Sequence, residues 1–316
     1  MIKDFVNLSD FSGDQLAALL DRAAADKRRF AEGNLPASLD RKVLAMIFEK
    51  PSLRTRVSFE AAMTQLGGHA VYLTRDDIGL GVREPIRDVA RVLGRMCDGL
   101  VARTFSHDSV QELARHAPVP VINALTDYSH PCQAMADFMT VAEHFGDLAG
   151  RTIAFVGDGN NVARSLAIGC AKLGMRFVLA APRGYGLSDE FARSVRSMGG
   201  DESYRSCEGP AAAVADADVV YTDTWVSMGQ EQEKAQRVRD FEGFQVNEDL
   251  MAAAPDHAIV LHCLPAYRDY EITDGVFEAH AGSIFTQAEN RLHFQRALMD
   301  VLMGNGGIQE SGASSR

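Results

Sequence analysis

Strand-like apolar runs alternating with helical patterns along most of the chain restrict its fold more than any other feature. Runs of this kind bury both faces only in parallel sheets flanked by helices, so the expected class is α/β. In the first half the expected strands are Lys42–Glu49, His69–Thr74, Gly99–Arg103 and Val119–Leu125. In the second half they are Thr152–Val156, Arg176–Ala181, Asp218–Thr222 and Ala258–Leu264, and SIFTQ, from Ser283, reads as one more strand-like run. No internal repeat is visible. A chain of 316 residues suits two doubly wound parallel-sheet domains of ordinary size. The GDLAGR segment marks their boundary, giving a first domain over residues 1–146 and a second over 147–288. Two helices are expected to bridge them: Pro131–Phe145, and one from about Glu289 to Met303 that completes the first domain. Residues 304–316 are small and polar and read as a disordered tail.

Doubly wound domains present ligands at the C-terminal ends of their strands, and that is where the chemistry-bearing residues fall. After VLAMIFE come Lys50, Pro51, Ser52, Leu53, Arg54, Thr55 and Arg56, then a helix with Phe59, Ala62, Met63 and Leu66 on one face, stopped by Gly67 and Gly68. A helix N-terminus offers unpaired N–H groups and the positive end of the dipole. Two hydroxyls and two arginine forks beside it suit a phosphate dianion. The plainer alternative is that Ser52 only caps the helix. Arg103 ends the next strand. His130, Pro131, Cys132 and Gln133 follow VINALTD, where a histidine and a glutamine can polarise a carbonyl, or simply form a helix-opening turn.

In the second half Gly157, Asp158, Gly159, Asn160, Asn161 and Val162 follow a strand and resemble a dinucleotide fingerprint. The third glycine is replaced by Val162, and the next strand ends in LAAP with no acid for a ribose hydroxyl. A nicotinamide-dependent oxidoreductase is therefore disfavoured, and Asn161 at the helix start could instead bind the α-carboxylate or α-amine of an amino acid. VVYTD delivers Asp223, which suits a cationic amine, and Ser227, Met228 and Gly229 open a loop that would cover the ligand. The last expected strand delivers His262, Cys263 and Leu264. A strand-end cysteine near such an aspartate is either a proton acceptor or plain core.

Composition sets outer limits. A net charge of -11 disfavours nucleic acid and anionic membrane as partners but permits a locally positive anion site. Five scattered cysteines without a CxxC pair point to reduced thiols rather than disulfides or structural zinc. The first residues hold no apolar core of signal-peptide length, and no run approaches the roughly 18 apolar residues of a membrane span. The expected compartment is the cytoplasm.

FEKPSLRTRVSFE, HPCQAMADF, FVGDGNNVARS, DTWVSMGQE, HCLPAYR and FTQAENRLH stand in the order and spacing of the ornithine carbamoyltransferases, within the aspartate/ornithine carbamoyltransferase family, which the chain resembles up to about Met303. The resemblance implies transfer of the carbamoyl group of carbamoyl phosphate to the δ-amine of L-ornithine, giving citrulline and phosphate in arginine metabolism, by a cytoplasmic homotrimer or multiple of trimers. It implies that Ser52, the backbone of Leu53, Arg54 and Thr55 hold the phosphate, with Arg56 serving structure. Arg103 would span phosphate and carbonyl, His130 and Gln133 would bind the carbamoyl group, and Arg291 would approach the same ligand. Asn161, Asp223, Ser227 and Met228 would bind ornithine, and Cys263 with Leu264 would lie where the substrates meet. Arg103, His130, Asp223 and Cys263 are the catalytic candidates. Neither metal nor cofactor is expected, because the donor is already activated.

Three positions depart from the family pattern: Leu53 where threonine is commoner, Tyr267 where histidine is common, and Gly79 where a glutamine often reaches a neighbouring subunit. Carbamoyl transfer to acetylornithine, putrescine or aspartate is the nearest alternative, and a non-catalytic amino-acid- or anion-binding protein the more distant one.

Overall fold

The computed structural model describes residues 3–226 and 231–304. Nine strands lie within them: β1 Val43–Phe48, β2 His69–Thr74, β3 Gly99–Arg103, β4 Val121–Leu125, β5 Thr152–Val156, β6 Arg176–Ala180, β7 Tyr204–Cys207, β8 Val219–Thr222 and β9 Ile259–His262. They form two sheets, ordered β2-β1-β3-β4 and β7-β6-β5-β8-β9, and every pairing is parallel. The chain divides into two units, one running through Met139 and resuming at Glu289, the other spanning Thr140–Ala288. It passes between them within two helices, Pro131–Phe145 and Ala281–Met303.

In the first unit β1, VLAMIF, is apolar throughout and all but its first residue are buried. Flanking helices supply the cover. Phe59, Ala62 and Met63 of the Leu53–Gln65 helix are wholly buried, and side chains the size of Phe59 and Met63 each stabilise the unit by about 1.5–3 kcal/mol. The N-terminal segment adds an edge bridge: Phe5 N–H donates to the Val121 carbonyl, and Asn123 N–H donates to that of Phe5. The Phe5 ring lies 5.8 Å from that of Phe294.

The second unit packs Ala154, Val156, Val178, Val220 and Val260 from its sheet against Val276, Phe277 and Ile284. Its Asn161–Lys172 helix is buried along nearly every face.

Two elements differ from the sequence reading. β7 was not anticipated, because YRSC is an edge strand with only Tyr204 fully buried and so carries no apolar run. SIFTQ is helical, inside the Ala281–Met303 helix, which starts before the expected Glu289. Five residues are too few for periodicity to separate a short strand from a buried helix segment.

In each sheet the strand order reverses beside the first strand of its unit. β1 is flanked by β2 and β3, and β5 by β6 and β8. The segments leaving β1 and β3, and those leaving β5 and β8, therefore border the switch points at which α/β sheets bind ligands.

Candidate active site

The first unit gathers a positive, hydroxyl-lined cluster. Ser52 caps the Leu53–Gln65 helix, its Oγ accepting from Thr55 N–H at 3.4 Å and donating to Thr55 Oγ1 at 3.0 Å. Thr55 is buried, and its hydroxyl is the meeting point of two guanidinium groups. Arg291 Nη2 lies 3.0 Å from Oγ1 and Arg103 Nη1 3.5 Å. Both arginines are about as buried as core residues, at 3% and 5% exposed. Holding two buried guanidinium groups on one hydroxyl concentrates positive charge at the start of the Leu53–Gln65 helix. Arg56 is turned elsewhere, to Glu60 at 3.0 Å and over the Tyr72 ring at 4.1 Å, which fits a structural role. Leu53 is 74% exposed, so its side chain contributes little to packing. Arg54 sits on the same first turn, half-buried.

His130 and Gln133 lie at the start of the Pro131–Phe145 helix, both buried. Burial, reinforced by the positive charges of Arg291 and Arg103, pushes the His130 pKa well down, so the imidazole is neutral at physiological pH. Arg291 Nη1 donates to Gln133 Oε1 at 3.0 Å, and Gln133 Nε2 donates to Asp137 Oδ1 at 2.8 Å. Cys132 beside them is inert, since burial pushes its thiol up to about 12 despite the nearby Arg291.

The second unit gathers an acidic centre. Asp223 follows β8 and is buried. One carboxylate oxygen accepts from Asn160 Nδ2 at 2.7 Å, the other from Thr224 N–H at 2.7 Å and from Cys263 Sγ at 3.0 Å. Asn160 is also the cap of the Asn161–Lys172 helix, its Oδ1 accepting from Val162 and Ala163 N–H. The residue that holds Asp223 is thus Asn160, which the sequence reading passed over, while Asn161 is the first residue of the helix. Only its place just before a strand-following helix could have singled Asn160 out.

The turn carrying Asn160 is itself braced. Arg237, 6% exposed, donates to Asp158 at 2.8 Å and to the Trp225 carbonyl at 3.1 Å. Burial raises the Asp158 pKa, against the pull of Arg237. Gly159 makes its close approach to the protein itself, since a Cβ there would lie 2.8 Å from the Gly186 carbonyl carbon.

Cys263 and Leu264 leave β9 in a segment locked by His262. The His262 N–H donates to Gln287 Oε1, its Nδ1 accepts from Leu264 N–H at 2.9 Å, and its Nε2 meets Glu271 at 3.0 Å. Glu271 also accepts from Tyr267 N–H at 2.7 Å. This over-determination supports Leu264 at a φ of 58°, a left-handed conformation costly for a leucine. Donor atoms of Asp223, His262 and Cys263 lie within 4.8 Å of one another, in principle a metal-ligand set. Both His262 nitrogens are already engaged, so the geometry serves the loop first. Ser227, Met228 and Gly229 lie outside the described residues.

Gly79 caps a short helix at a φ of 58°, and a Cβ there would lie 2.8 Å from Arg83 Cβ. A glutamine at this position would be strained, which gives the departure a backbone cause.

Residues 3–143 match the family description "Aspartate/ornithine carbamoyltransferase, carbamoyl-P binding domain" and residues 149–302 match "Aspartate/ornithine carbamoyltransferase, Asp/Orn binding domain". The chain belongs to this family. An ornithine carbamoyltransferase of Carboxydothermus hydrogenoformans is 48% identical over 305 residues, 96% of this chain and 98% of that protein. One from Methanosarcina mazei is 47% identical, over 96% of this chain and the whole of its own. Among solved structures, the ornithine carbamoyltransferase from Pyrococcus furiosus is similar with a TM-score of 0.92 and 45% identity, covering 96% of this chain and 98% of its own. The motifs that carry the family resemblance are those that build the two clusters.

Proposed function

We propose that this chain transfers the carbamoyl group of carbamoyl phosphate to the δ-amine of L-ornithine. The observation that carries the reading is the convergence of buried Arg103 and Arg291 on the Thr55 hydroxyl beside a neutral His130. Ser52, Leu53 N–H, Arg54 and Thr55 hold the phosphate, and Arg103, His130, Gln133 and Arg291 hold the carbamoyl end. Asn161, Asp223, Ser227 and Met228 bind ornithine, with Cys263 and Leu264 at the meeting point of the two substrates.

The neutral δ-amine attacks the carbonyl carbon. The new C–N bond forms and the carbonyl oxygen takes negative charge. The oxyanion then collapses, breaking the C–O bond to phosphate, and the amine proton is lost. Thr55, Arg103 and His130 stabilise the oxyanion, and removing one such donor typically costs about 2.7–4 kcal/mol. A neutral imidazole suits this role because it donates one N–H without adding a third positive charge. Asp223, held by three donors, is an acceptor suited to ornithine's ammonium rather than to a second carboxylate, which favours ornithine over aspartate. Holding the two reactants in line supplies much of the remaining rate.

The family membership and the residue pattern also support a cytoplasmic enzyme of arginine metabolism, assembled as a homotrimer or a multiple of trimers with the Asp76–Arg83 loop near a subunit contact. No described helix is long and apolar enough to cross a membrane. Incubation of the purified chain with carbamoyl phosphate and ornithine should release citrulline and phosphate in equal amounts. Phosphate release without citrulline would contradict the reading. A fully active monomer by sedimentation would contradict the trimer.

A further inference from the structure

Gln133 has an amide whose two ends have nearly the same shape, and only one of them can face a ligand usefully. Its environment decides which. A guanidinium has no acceptor, so the Gln133 atom 3.0 Å from Arg291 Nη1 must be the oxygen. The nitrogen then points to Asp137 Oδ1, 2.8 Å away and one helical turn further along. Both residues are essentially excluded from water, at 1% and 0% exposed. A wholly buried carboxylate is expensive and is not needed to finish a helix that already has a hydrophobic face. Here it accepts from the amide of a residue assigned to the carbamoyl group.

We propose that Asp137 is a positioning residue: it anchors the Gln133 amide nitrogen so that the amide oxygen faces the carbamoyl group, and thereby selects a carbamoyl over an acetyl donor. This rests on the reading of the first unit as the carbamoyl phosphate site. A carbamoyl group carries an NH2 that can donate to Gln133 Oε1. An acetyl group of the same outline carries a methyl and leaves that oxygen and its neighbours unsatisfied. A site built to pair an N–H rejects the analogue that lacks it. With Asp137 neutralised, the amide nitrogen loses the charged partner that holds it, and the amide oxygen is no longer kept in place for the carbamoyl NH2.

The test uses the full chain and its near-isosteric variant Asp137→Asn. The KM for carbamoyl phosphate in citrulline formation is compared with the inhibition constants of acetyl phosphate and inorganic phosphate. The unsubstituted protein should prefer carbamoyl to acetyl phosphate by about tenfold or more. In Asp137→Asn that preference should shrink by about tenfold through a rise in the carbamoyl phosphate KM, with the inorganic phosphate constant unmoved. An active variant with an unchanged preference overturns the proposal, as does equal weakening of all three ligands, which a purely structural role would produce. If Asp137→Asn fails to fold, Asp137→Ser decides: a shrunken preference supports the proposal and an unchanged one overturns it. An unsubstituted protein that forms no citrulline overturns the functional reading and the proposal with it. An active protein with an unmoved preference overturns the proposal alone.

Discussion

Cys263 Sγ lies 3.0 Å from Asp223 Oδ1, so the thiol donates to a carboxylate that Asn160 and Thr224 N–H already hold. The pair resolves a conflict in the chemistry. Ornithine's δ-ammonium binds a carboxylate well, but only the neutral amine is a nucleophile. In the proposed reaction the carboxylate recruits the ion and is the group placed to take its proton.

Asp223→Asn keeps the shape and removes the charge. Citrulline formation should fall by on the order of a hundredfold or more, while carbamoyl phosphate binding, measured by calorimetry, should hold. Near-normal turnover in the folded variant would sink this account of the acceptor site.

Cys263→Ser separates two roles for the thiol. A proton-accepting thiol predicts a loss in kcat with the ornithine KM little changed, because serine is a much weaker acid. A thiol that only lines the pocket predicts a rise in KM at constant kcat. The bond to Asp223, in which the thiol is the donor, favours the second outcome and leaves the carboxylate as the proton acceptor.

Arg54→Ala and Arg103→Ala each remove a charged donor from the proposed phosphate site. Each should weaken carbamoyl phosphate by about 1.5–3 kcal/mol, and ornithine far less. Calorimetry on folded variants showing unchanged carbamoyl phosphate affinity would refute the assignment.

Acid should weaken the fold through its histidines. Burial is the leading cause that holds His107, His130, His280 and His293 below the ordinary value of 6.5. The unfolded chain therefore takes up protons that the folded chain refuses as pH falls through 6.5, and stability is lost from there downward. The midpoint of thermal unfolding should drop between about pH 7.5 and about pH 5.5, and less steeply in His130→Gln. A flat profile would contradict the burial of a neutral His130.

Much of this was legible in the sequence because apolar runs and strand-end polar residues coincide. β1, β2, β3 and β5 carry their own apolar signal, and Ser52, Thr55, Arg103, Asp223 and Cys263 all follow one. β7 was not legible, since an edge strand such as YRSC needs little apolar character. The pairing of Asn160 with Asp223 was not legible either, because the two stand 63 positions apart and only the β5–β8 register brings them together. The role of Asp137 hides in ordinary helical spacing, where an acid four residues after a glutamine usually faces water. Its burial, not its position, distinguishes it.

The most direct test of the central claim is the initial rate of carbamoyl transfer from carbamoyl phosphate to equal concentrations of ornithine, acetylornithine, putrescine and aspartate. Ornithine should exceed each alternative in kcat/KM by on the order of a hundredfold, with the advantage lost in Asp223→Asn. Comparable or faster transfer to any of the other three would contradict the account.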